Sequence, residues 1–101
     1  MIQALPPGVK IREHSRLAKL AARRLKVASV AMVIGNTIHL YGASRSEFLS
    51  NERWLRHELA HVAQYRRYGL LRFLLLYIIE TMRHGYHNNR FEREARAAEK
   101  A

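Results

Sequence analysis

Apolar residues recur along this 101-residue chain with two different periods, and the change of period marks the elements. From His14 to Lys26, Leu17, Leu20, Ala21 and Leu25 return every three or four positions with Arg and Lys between them. That pattern predicts an amphipathic helix resting on those four residues. Ser29 to Tyr41 changes character: Val30, Val33, Ile34, Thr37, Ile38 and Tyr41 favour strands, and Gly35-Asn36 divides them into two runs. The reading is a hairpin with strands near Ala28–Ile34 and Thr37–Tyr41, ending at Gly42. Ser44-Arg45-Ser46-Glu47 has the form of a capping box. A long helix is expected from about Ser46 or Asn51 to Tyr68, with Gly69 as its stop signal and Trp54, Leu55, Val62 and Tyr65 as its core face. Leu70 to Arg83 reads as a second helix, mostly apolar and therefore buried, broken at Gly85. Asn88 or Asn89 caps a last helix running to about Glu99. Ahead of all this, Pro6-Pro7-Gly8 reads as an extended or turning lead-in.

An N-terminal helix, a short β-hairpin and three further helices make an α+β fold, and 101 residues make one domain, 1–101. Charge adds a second constraint. Lys and Arg number 18 against 8 acids, all of them Glu, for a formal charge of +10. Such a surface attracts nucleic acid, acidic lipid or acidic protein. The basic residues are spread along the chain rather than clustered, so nucleic acid is not the expected partner. An acidic partner, an anionic membrane surface and a plain solvated surface stay open. Met1 to Gly8 lacks the basic start and apolar core of a secretory leader. The apolar run Leu70–Met82 is interrupted by Arg72 and Glu80, and falls short of the roughly 20 residues that span a bilayer. A cytoplasmic location is expected, with peripheral membrane contact as the alternative. The oligomeric state is not readable.

The chain has no cysteine, so any metal site must be built from His and carboxylate. His57-Glu58-Leu59-Ala60-His61 falls inside the predicted long helix. Residues four apart share a helix face, which puts both imidazoles one turn apart and within reach of one ion. Glu58 is rotated about 100° from His57, beside the ion rather than on it. Zinc there would make water acidic enough to attack at neutral pH, with Glu58 taking the proton. A third protein ligand is needed, and the candidates downstream are Glu80, Glu92, Glu94, Glu99, His84 and His87. Glu92 also stands three residues after a good N-cap, where it would simply stabilise the start of the last helix.

The HExxH run and the later segment Asn89-Arg90-Phe91-Glu92-Arg93-Glu94-Ala95 together resemble gluzincin zinc metallopeptidases. The stretch from Ser44 onward resembles minimal single-domain forms with His57-Glu58-Leu59-Ala60-His61-Val62-Ala63-Gln64 as their hallmark. The resemblance implies a zinc-dependent peptidase acting on a peptide or protein substrate, with His57, His61 and Glu92 as metal ligands and Glu58 as general base. Glu94 is the substitute ligand if the helix phase differs. The family often has Asp four residues after the ligand Glu; this chain has Arg96, which removes a usual partner for a ligand histidine. Tyr86, His84 and His87 are candidates for stabilising the oxyanion, with Tyr86 expected in that role. Gln64 reads as a surface residue or a partner of the ligands, and His39 as a strand-surface residue. The hairpin edge could pair with an extended substrate. The Pro6-Pro7 lead-in could lie across the cleft and hold the domain latent, and the alternative to a peptidase is a non-catalytic or latent metal-binding module acting through its basic surface on an acidic partner, nucleic acid or a membrane.

Overall fold

The computed structural model describes residues 5–100. Met1 to Ala4, the start of the segment read as lacking a leader, and Ala101 lie outside them. The fold is α+β, with a three-stranded sheet and five helices among the described residues. The hairpin forms where the sequence places it: β2 (Val30–Ile34) runs antiparallel to β3 (Thr37–Tyr41), with Ile34 opposite Thr37 across the Gly35-Asn36 turn. Gly35 has φ 64° and Asn36 does not share the positive φ, the pattern of a type II′ turn. Gly42 ends β3 at φ 78°, where a Cβ would stand 2.1 Å from the Ala28 carbonyl oxygen, so only glycine fits.

A strand absent from the sequence reading completes the sheet. Just beyond the lead-in, Lys10–Arg12 forms β1, parallel to β3 with Ile11 opposite Ile38, giving the order β1-β3-β2. Three residues with one apolar position are too short for a period-2 signal to show. The lead-in is held at this edge of the sheet, since Arg66 donates to the Pro7 carbonyl at 2.8 Å. Residues 5–8 therefore do not cross the cleft over the candidate metal ligands, which is walled by β2 at the opposite edge.

The first helix, α1 (Arg16–Leu25), is shorter than expected because Ser15 caps it and His14 and Lys26 adopt left-handed backbone. It also turns a different face inward. Ala18 and Ala22 are buried, while Leu17, Leu20 and Leu25 are exposed. α1 packs against β2 and β3, and methyl side chains allow the close approach that leucines would block. The Ser44 capping box is present, but it starts a separate short helix, α2 (Arg45–Ser50). Asn51 ends α2 and caps α3 (Glu52–Tyr68), accepting from the Trp54 N–H at 3.1 Å. Both starts considered from the sequence are thus bracketed by real caps. Leu55, Val62 and Tyr65 are buried as expected, and Trp54 is half-buried.

Gly69, at φ 84°, is the single residue joining α3 to α4 (Leu70–Asn88). The helical path of α4 is interrupted at Gly85 (φ 80°, ψ 167°), as expected. Its burial is not as expected: Phe73 is its one fully buried residue, and Leu71, Leu75, Ile78 and Met82 face solvent. Inclusion in a core depends on an opposing surface, and α4 has one only on its inner side. α5 (Arg90–Ala98) then folds back against α3 and α4. Asn89 orders this return. Its buried carboxamide accepts from the Phe91 and Glu92 N–H groups and donates to the Tyr77 carbonyl and the Thr81 hydroxyl. No described helix is long and apolar enough to cross a membrane.

Candidate metal centre

α3 and α5 pack side by side, and this packing gathers the residues singled out from the sequence. His57 and His61 project from one face of α3 with ring centroids 5.1 Å apart. Glu92, in the first turn of α5, reaches both: Oε1 lies 3.1 Å from His57 Nε2, and Oε2 lies 3.2 Å from His61 Nε2. The carboxylate does not turn back to cap its own helix; that is the work of Asn89. These three residues form a group able to hold a metal ion. N and O donors about 2.1 Å from one zinc ion stand roughly 3.3–3.4 Å apart in a tetrahedron. The two imidazole–carboxylate distances lie close to this value, and the three donor groups lie within 4.8 Å of one another.

Each imidazole is held from behind. Gln64 Nε2 donates to the Phe91 carbonyl and to the Glu94 carboxylate, so its Oε1 is the atom facing His61 Nδ1 at 2.8 Å. That oxygen can only accept, which puts the proton on Nδ1 and leaves the Nε2 lone pair for the centre. His57 Nδ1 meets Glu99 Oε2 at 2.7 Å, with the same consequence. Gln64 is therefore a partner of a candidate ligand rather than a surface residue. Glu94 lies outside the three-residue group and supports Gln64 instead. Glu99 was not singled out for this role from the sequence. It stands where the absence of an Asp at position 96 left a gap, two helical turns after Glu92 and so on the same face. Arg96 points elsewhere and donates to the His87 carbonyl. Tyr77 of α4, which no sequence motif marks, donates its hydroxyl to Glu92 Oε2.

The electrostatics follow from this crowding. Burial works against the charge of His57, but the hydrogen bonds to Glu92 and Glu99 and the field of Glu58 outweigh it and raise its pKa to about 9. His61 is raised in the same way, against burial, chiefly by Glu92. Burial also opposes the charge of Glu92, yet the bonds from His57 and His61 hold it well below the usual carboxylate range. Glu58 is 5 % exposed, and burial pushes it up to about 7 despite the opposing pull of His61 and His57. Glu58, Glu92, Glu94 and Glu99, half of the acids in a chain of charge +10, are gathered around the two histidines.

A cleft of about 280 Å³ opens over the group. β2 forms one wall, Leu74 and Tyr77 of α4 another, and His57, Glu58, His61 and Glu92 the floor. Tyr86, just past the Gly85 break, also lines it. Its hydroxyl is pushed up to about 12, by burial first and then by the charges of Glu92 and Glu58. His84 and His87 are exposed and do not line the cleft. His39 is on the sheet beside Ser15, at 2.8 Å, away from the centre. Residues 8–69 match the family model of the eCIS core domain, more than half of the chain. The chain belongs to the eCIS core domain family. No curated protein and no solved structure matches it. The eCIS core match includes His57, Glu58, His61 and Gln64 and stops at Gly69, so Tyr77, Glu92 and Glu99 lie beyond it.

Removing the Glu99 carboxylate tests the rear support in this eCIS core domain. Glu99→Gln keeps the side chain's shape but loses the charge that orients His57. Zinc affinity, measured by competition with a chromophoric chelator, is expected to fall about 10- to 100-fold. An unchanged affinity would show that His57 needs no such partner.

Proposed function

We propose that this domain is a zinc-dependent peptidase. The observation that carries the reading is the convergence of two Nε2 atoms and the Glu92 carboxylate, each histidine held from behind, with buried Glu58 beside them at the floor of a cleft. The resemblance of the HExxH run and the Glu92 segment to gluzincins points the same way. Zinc held by His57, His61 and Glu92 would supply a Lewis acid and water acidic enough to attack at neutral pH. Glu58 takes a proton from the attacking water and returns it to the departing amide nitrogen. Tyr77 fixes the orientation of Glu92. Tyr86 offers a neutral phenol at the cleft wall, suited to donate to an oxyanion. β2 pairs on one side with β3 and, among the described residues, leaves its other edge unpaired at the cleft. An extended peptide can add there as a further strand.

The purified chain is expected to carry one zinc ion and to cleave members of a fluorescence-quenched peptide library. Cleavage should stop on treatment with phenanthroline and return with added zinc. Uptake should weaken as pH falls, because His57 and His61 must lose protons to bind the ion. Failure to retain zinc, or cleavage indifferent to the chelator, would remove the proposal.

A further inference from the structure

The outer side of α4 carries an apolar stripe. Leu71, Leu75, Ile78 and Met82 are 79 %, 59 %, 54 % and 81 % exposed. At about 100° per residue these four lie within roughly 60° of one another, so they form one continuous ridge along the helix. Contiguous apolar surface of this kind marks an interaction site rather than ordinary exposure.

The charge beside the ridge has one sign. Arg72 and Arg83 each directly follow a ridge residue and are exposed on its shoulder, rotated about 100° from it. Arg67 is exposed at the end of α3 that leads into α4. None of the three arginines forms an ion pair among the described residues. The one acid of α4, Glu80, is occupied in accepting from the Arg90 N–H. A second copy docked on this face would bring like charges together, in a chain already at +10. An anionic bilayer satisfies both features: the acyl boundary takes up the leucines, and lipid phosphates meet the guanidinium groups. The helix lies in the plane of such a surface, since it cannot cross it.

We propose that α4 docks this domain onto anionic lipid bilayers, with the Leu71–Met82 ridge in the acyl boundary and Arg72 and Arg83 among the headgroups. Leu74 and Tyr77 on the inner side of the same helix line the cleft, so docking sets the cleft close to the bilayer. On the peptidase reading above, substrates tethered to or lying on that surface would be favoured.

The test is co-sedimentation of the full chain with vesicles of phosphatidylglycerol and phosphatidylcholine in equal parts, against pure phosphatidylcholine. Binding is expected to the mixed vesicles and not to the neutral ones. Leu71→Glu with Met82→Glu should lower the partition coefficient at least about tenfold, since two apolar side chains lose their burial. Arg72→Gln with Arg83→Gln should flatten its salt dependence. All four positions are exposed, and circular dichroism of each variant checks that the fold persists. Equal binding by the Leu71/Met82 variant would overturn the proposal. So would a lipid-free dimer abolished by the same variant, which assigns the ridge to a second copy. Binding to poly-glutamate without binding to mixed vesicles would assign it to an acidic protein.

Discussion

Glu58→Gln is expected to leave zinc uptake unchanged and to lower kcat for peptide cleavage by about a hundred- to ten-thousand-fold, the usual contribution of a positioned general base. Gln has the size and hydrogen-bonding reach of Glu but cannot accept a proton. Glu58 belongs to none of the donor pairs that join His57 and His61 to Glu92, so the substitution leaves the proposed ligand set in place. In the metal-free chain burial pushes its carboxyl up to about 7, against the pull of His61 and His57. Elemental analysis of the variant and steady-state kinetics on the best library peptide provide the check. Loss of zinc together with activity would make Glu58 a structural residue. Retention of both would remove the general-base role.

Phe73→Ala is expected to cost about 3–5 kcal/mol, a large part of the roughly 5–15 kcal/mol that stabilises a domain. Phe73 is the buried anchor of α4, with ring centroids 4.5 Å from Tyr65 of α3 and 4.9 Å from Phe91 of α5. Its loss opens a cavity where three helices meet, one turn before Tyr77 and beside the residue that precedes Glu92. Urea unfolding of the metal-free chain measures the effect. Leu71→Ala, on the outer side of the same helix, should stay within about 0.5 kcal/mol. If zinc binds only the folded state, zinc at about a hundred times its Kd should restore about 2.7 kcal/mol to the Phe73 variant. A small effect of Phe73→Ala would mean that α4 is not anchored through this ring.

What the sequence made legible was local. Gly35-Asn36 between β-forming runs and two histidines four apart each carry their meaning within a few residues. Among the downstream acids Glu92 is set apart only by the resemblance of Asn89–Ala95 to gluzincins, and the structure brings it to the two histidines. Tertiary choices were less readable. β1 finds its parallel partner across α1 and β2, so three residues could not declare it. Whether α1 rests on leucines or on alanines is decided by how closely it approaches the sheet. The apolar composition of α4 suggests burial, yet burial belongs to an opposing surface that most of the helix lacks. Glu99 serves His57 from the other end of the domain, and its spacing of two helical turns from Glu92 was the one available hint.

The link between α3 and α4 has a consequence for variation in chain length. Gly69 alone connects them, so the azimuth of α4 is geared directly to that of α3. One inserted residue would turn α4 by about 100°. The turn would swing Tyr77 off Glu92 and carry Phe73 out of its aromatic seat. Substitutions on the outer side of α4 leave this gearing intact, while insertions and deletions at the joint do not.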